Sequence, residues 1–140
     1  MTRPLNRTPM RSGCPISIAL EMLGDAWSLL IVRDLMFKDK QTFNEFLRGG
    51  EGIASNILID RLRKLEAAGI VHKHADPSDA RRFIYRLSAK GIDLAPVLVE
   101  LVLWSARHEA TDAPAPVLRA MRGDREAFIT DVRERWRSGR

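Results

Sequence analysis

The sequence predicts a mainly α-helical domain that carries one small β-hairpin. Three observations support this. Apolar residues recur at three- and four-residue spacing along most of the chain. After Gly69 the spacing drops to two, and it returns to the helical period after Leu87. Glycines, prolines and small polar residues stand at each change.

The elements follow in order. Residues 1–13 hold Arg3, Arg7, Arg11 and two prolines without an acid, and read as a loose arm. Cys14-Pro15 opens a helix, because proline suits the first turn. Ile16, Ala19, Leu20 and Leu23 follow at helical spacing, and Gly24 ends the run. Asp25 can cap a second helix that reaches about Phe37, with Trp27, Leu30, Ile31 and Leu35 apolar. Thr42 caps a short helix from Phe43 to Leu47, and Glu45 at its third position completes a capping box. After the flexible turn Gly49-Gly50-Glu51-Gly52, a longer helix runs from about Ala54 to Ala68 and stops at Gly69.

Ile70 to His74 and Arg82 to Leu87 read as strands joined through the turn cluster Asp76-Pro77-Ser78-Asp79. Ser88 caps a long helix to about His108. Thr111 to Pro116 reads as a linker, and an arginine-rich helix follows from about Asp124 to Trp136. The expected organisation is an arm over 1–13, one domain over 14–110, and a linker with a helical extension over 111–140. Helix, helix, turn, helix, hairpin is the winged helix-turn-helix order.

Composition agrees. A 140-residue chain that is 45% apolar and 29% charged suits one globular domain, not a disordered segment. Its longest apolar stretch, Leu94 to Trp104, is broken by Pro96 and Glu100 and is too short to span a bilayer. The arginine-bearing N-terminus lacks the apolar core of a secretory signal, so a cytoplasmic location with no membrane partner is expected. A single cysteine fits a reducing compartment.

The net charge of +5 favours polyanions, and its location is more telling. The stretch 56–90 carries Arg61, Arg63, Lys64, Lys73, Arg81, Arg82, Arg86 and Lys90 against Asp60, Glu66, Asp76 and Asp79. On the wheel of the 54–68 helix, Leu58, Leu62 and Leu65 share one face, with Ile57 at its edge. Asn56, Asp60 and Arg63 fall opposite, with Ile59 beside them. Asn can pair with adenine, Arg with guanine and Asp with cytosine, while Ile can touch a thymine methyl. Ser55 near the helix start suits a phosphate or base, and Arg61 suits a neighbouring helix or a phosphate. Arg81 sits at the tip of the hairpin for a backbone contact, while Arg82 and Arg86 share a strand face. Thr42 and Lys64 complete the candidate DNA-contacting set.

The Ser88–His108 helix is apolar along two stripes. Ile92, Ala95, Val99, Val102 and Ala106 form one; Leu94, Leu98, Leu101 and Trp104 form the other. One stripe serves the chain's own core, so the other is expected to meet a second copy in a homodimer.

Together these residues resemble the HxlR-type winged helix-turn-helix regulators over about residues 14–104. The resemblance rests on Cys14-Pro15, Gly24 and Trp27, Leu29-Leu30-Ile31 with Arg33, and Phe43-x-Glu45-Phe46. It continues through Gly52-Ile53, Leu58, Arg61-Leu62-Arg63 and Leu65-Glu66. Gly69-Ile70-Val71, Arg82-x-x-Tyr85-x-Leu87-Ser88, Gly91, Pro96, Leu98 and Trp104 complete it. It implies a homodimeric cytoplasmic repressor or activator of pseudo-palindromic DNA. It also implies a sensor role for Cys14, since in some members a cysteine at this place responds to electrophiles or oxidants. A thiol at a helix start, just behind Arg11, is placed for such chemistry. Three positions depart from the family pattern. Ala26 replaces a basic residue before the tryptophan, Ala54 a capping serine, and Ile59 a small hydroxyl residue.

Other chemistry has less support. His72 and His74 share a strand face near Asp76, but two histidines are not a metal site, and no cofactor is expected. The glycine turn lacks the Lys-Ser/Thr of a phosphate-binding loop. No catalytic constellation surrounds Cys14, so an enzyme is not expected. The alternatives are a winged-helix protein-interaction module without DNA, and a regulator that binds a small-molecule effector and has an inert Cys14.

Overall fold

The structure, a computed structural model, describes residues 10–139. Most of the expected arm therefore lies outside the described residues.

The described residues form ten elements, eight helices and two strands, and two local rules explain most of their ends. Helix α1 (Pro15–Leu23) starts on proline and stops at Gly24. It bends by 81° into α2 (Ser28–Phe37). Asp25 caps that start: its carboxylate accepts the amides of Trp27 at 2.7 Å and Ser28 at 2.9 Å. The α3 helix (Phe43–Leu47) carries the capping box in full, with Thr42 accepting from the Glu45 amide and Glu45 accepting from the Thr42 amide. The α4 helix (Ser55–Ala67) ends at Gly69, whose φ of +75° is the left-handed turn that glycine adopts without strain.

The hairpin is longer than its apolar pattern indicated. Strands β1 (Val71–Asp76) and β2 (Asp79–Leu87) pair antiparallel, with Val71 opposite Leu87 and Lys73 opposite Tyr85. The Tyr85 amide points away from β1 and donates to the Gln41 carbonyl at 2.7 Å, which ties the wing to the entry of α3.

The predicted long helix is two helices, α5 (Ala89–Ile92) and α6 (Ala95–His108). Pro96 explains the break, since it has no amide to donate and its ring crowds the carbonyl four residues earlier. Gly91 matters here because a Cβ would sit 2.3 Å from the Ile70 carbonyl. Its absence lets α5 lie against the hairpin. The proline-rich stretch after residue 111 also begins a helix, α7 (Ala115–Gly123), with Pro116 in its first turn. The last helix, α8 (Arg125–Arg137), packs back on the core. Trp136 donates its indole N–H to the Leu87 carbonyl at 2.8 Å, and Arg133 pairs with Asp93 at 2.8 Å.

One core joins Ile31, Val32 and Met36 of α2, Phe46 of α3, the α4 leucines, Ile70, Val71, Tyr85 and Leu87. A smaller cluster of Val99, Leu103 and Met121 joins α6 to α7. Among the described residues, no single helix is long and apolar enough to cross a membrane.

Candidate nucleic-acid interface

The α4 helix is built to show one face. Leu58, Leu62 and Leu65 are at most 1% exposed, and this anchors the helix rotation. Ser55, Asn56, Asp60, Arg63 and Lys64 are then exposed together. Ala54 offers no capping side chain, so among the described residues the first-turn amides of α4 have no side-chain cap.

Two members of the set differ from expectation. Ile59 is half-buried, not exposed, because the hairpin closes over it. It lines a cleft of about 630 Å³ with Thr42, Asn44, Arg81, Arg82 and Phe83. Asp60 is already engaged: Arg61 donates to its carboxylate, and Lys64 lies 3.9 Å away. Arg61 also reaches the start of α2, with Nε 3.1 Å from Asp25. It holds a neighbouring helix, as its place on the wheel indicated. Partial burial works against the charged Asp25, but hydrogen bonds from Ser28 and the Trp27 and Ser28 amides, with Arg61, outweigh it and lower its pKa.

The wing cations divide into committed and free. Arg82 grips Asp76, with Nε at 2.8 Å, and Asp76 also accepts the Ser78 amide and hydroxyl. Hydrogen bonds from the Ser78 amide, Arg82 and the Ser78 hydroxyl pull the Asp76 pKa down to about 2. Arg86 does not stand beside Arg82 as a second exposed contact. It turns onto the Trp136 ring at 5.4 Å and donates to the Trp136 carbonyl. Arg81 is 93% exposed at the tip, held only loosely by Asp79 at 3.4 Å. Lys73 covers the Phe83 ring at 4.5 Å.

A second cleft, about 680 Å³, runs beside α3 and is bordered by Lys40, Thr42, Asn44, Arg48 and Arg82. Lys40, Asn44 and Arg48 escaped the sequence reading. The available signal was the polar outer face of the predicted Phe43–Leu47 helix, where Asn44 stands exposed beside Arg48. Thr42 borders both clefts, yet its hydroxyl already serves the capping box.

Cys14 is exposed at the first position before α1, as placed from the sequence. Arg11 does not attend it; its amide and guanidinium face Glu21, the latter at 3.7 Å.

The model of the HxlR-like helix-turn-helix family matches residues 22–113. The uncharacterized HTH-type transcriptional regulator YybR of Bacillus subtilis is 32% identical over 74% of this chain and 82% of its own length. The reduced form of the transcriptional regulator YodB from B. subtilis superposes with a TM-score of 0.58 at 31% identity, over 69% of this chain and 95% of that one. YodB with quinone bound gives 0.56 at 31% identity, over 67% and 98%. The redox regulator HypR in its oxidized form gives 0.61 at 28% identity, over 70% and all of that chain. Helix order, hairpin and family match agree, and the chain belongs to the HxlR-like helix-turn-helix family of transcriptional regulators.

Proposed function

We propose that the protein is a cytoplasmic homodimer that reads a pseudo-palindromic operator in double-stranded DNA. In this reading the outer face of α4 enters the major groove. Its main support is the contrast across that helix: three fully packed leucines fix its rotation, and Asn56, Arg63 and Lys64 face outward. Ser55 and the open amides of the first turn meet a phosphate, and Ile59 makes apolar contact from the cleft edge. Asp60 orients Lys64 and Arg61 more than it reads a base. Arg81, Arg82 and Thr42 hold the backbone on either side.

Ile16 and Leu20 of α1 are 71% and 56% exposed, and Trp104 of α6 is 58% exposed. Such apolar surface calls for a second copy. Two copies on a two-fold axis set half-sites about 34–36 Å apart, or a multiple.

The test selects bound sequences from a random DNA pool. Arg63→Ala should relax preference at one base pair and cost about 1–3 kcal/mol there. Arg81→Ala should weaken all sequences alike and flatten the salt dependence. If both variants gave the same uniform loss, base reader and backbone contact would be wrongly assigned.

A second reading concerns Cys14, favoured by its exposure and by the likeness to HypR and quinone-bound YodB. The Cys14 thiolate adds across a ring C=C of the quinone, forming a C–S bond as the π electrons shift to a carbonyl oxygen that takes a proton from water. The ring C–H proton then moves to the other oxygen, leaving a hydroquinone thioether on Cys14. The adduct disturbs the dimer, and DNA affinity falls because both half-sites must be met at once. Titration with benzoquinone should weaken DNA binding in the wild type and leave Cys14→Ser unaffected. Full affinity after modification confirmed by mass spectrometry would make Cys14 a structural residue.

A further inference from the structure

A cleft of about 620 Å³ opens between α2, α6 and the C-terminal helices, away from the α4 face. Its walls include Leu30, Phe37, Leu98, Val102, Met121 and Phe128. The first four belong to the family-matched region. Met121 and Phe128 lie beyond residue 113, where the match ends. The cleft is therefore made by docking this chain's own C-terminal helices on the shared scaffold. Its size is within the roughly 300–1,000 Å³ of small-molecule sites.

Its charge is uneven. Arg33 borders the cleft but is committed to Asp34 at 2.8 Å and Glu51 at 2.9 Å. Lys38 and Arg135 also border it, and among the described residues neither side chain makes an ion pair or hydrogen bond. Against them stands Asp112 at the rim. The balance is apolar walls with surplus positive charge at the edge. A sugar or a polyphosphate would leave the apolar walls unmatched, and a neutral apolar body would leave the cations unmatched.

We propose that this cleft binds a small aromatic or aliphatic carboxylate, its apolar body on the walls and its carboxylate at Arg135 and Lys38. Because α2 also packs against α4, the occupant is placed to act as an effector of the regulator. That role rests on the DNA reading; the binding itself does not.

The experiment uses the full chain without DNA, so failure here leaves the DNA reading intact. Calorimetry is run with 2-naphthoate and its neutral counterpart 2-naphthamide. Saturable binding of one 2-naphthoate per chain is expected, with the amide about tenfold weaker or more. Replacing Lys38→Gln and Arg135→Gln together should bring 2-naphthoate down to the level of the amide while amide binding holds. Both side chains are exposed, so the fold is spared. Val102→Phe, which fills the cleft, should abolish binding of both compounds. The proposal is overturned by any of four results. These are no saturable binding, as when a second copy covers the cleft; equal affinity for acid and amide; unchanged acid binding in the double glutamine variant; or persistent binding in a folded Val102→Phe.

Discussion

Helices α1 and α4 obey the same packing rule with opposite results. The α1 sequence, Pro-Ile-Ser-Ile-Ala-Leu-Glu-Met-Leu, is mostly apolar, yet none of its residues is buried. The α4 sequence is far more polar, yet Leu58, Leu62 and Leu65 are fully enclosed. Apolar content therefore does not decide what a helix buries within its own chain; the number of elements around it does. Helices α2 and α3 and the hairpin pack around α4. In contrast, α1 leans on α2 at one end and leaves Ile16 and Leu20 in the open. The apolar surface of α4 is satisfied by folding, and that of α1 is left for the proposed dimer contact.

The sharpest test of this contrast is a pair of substitutions. Leu62→Ala should cost about 2–5 kcal/mol in urea unfolding, from lost transfer energy plus the cavity left behind. Leu20→Lys should leave the far-ultraviolet helix signal unchanged and convert the proposed dimer to a monomer in light scattering. In a two-fold contact each change counts twice, and each buried leucine is worth about 1.5–3 kcal/mol. The contrast breaks if Leu20→Lys unfolds the chain or leaves it dimeric at micromolar concentration.

The same contrast shows what could be read in advance. The capping box of α3 and the stop at Gly69 were legible because each depends on residues within one turn. The outward face of α4 was legible because a wheel with three leucines has one sensible rotation. The break before α6 was written in Pro96, but continuous apolar content across it masked the signal. Helix α7 was hidden because Pro114 and Pro116 suit both a linker and a helix start. Alternation puts Arg86 on the strand face of Arg82, but nothing near it in sequence points to its partner Trp136, 50 residues on. The sequence leaves open which stripe of that helix faces inward; Ile92, Ala95 and Val99 of the first are buried, Leu101 and Trp104 of the second are exposed, and Leu98 is buried while Val97 is exposed. A stripe on one continuous helix from Ser88 does not carry over, because α6 starts afresh at Ala95 with Pro96 in its first turn.

The wing tip follows neither helix, since charge and hydrogen bonding order it where apolar burial is thin. Asp76 is 6% exposed, but it is covered by its own partners Ser78 and Arg82 at the edge of the protein, not sunk in the core. Its folded pKa of about 2 lies below the ordinary 3.8. A carboxylate with a depressed folded pKa stabilises the fold above its unfolded value and loses that contribution as pH falls through the folded one. The wing tip should therefore be unchanged above about pH 4 and loosen between about pH 4 and 2. Carbon-13 titration of the Asp76 carboxyl reads this directly. Its midpoint should fall near 2 in the wild type and rise part of the way toward 3.8 in Arg82→Gln. The rise stays partial because the Ser78 amide, the largest contributor, still donates to the carboxylate. A wild-type midpoint near 3.8 would mean that Asp76 is solvated and that Arg82 is free for a phosphate. Arg82 would then rank with Arg81 as an uncommitted wing contact, and Arg82→Ala should cost DNA affinity as much as Arg81→Ala does. With the midpoint near 2, Arg82 must share its guanidinium between Asp76 and the backbone, so its loss should cost less than that of Arg81.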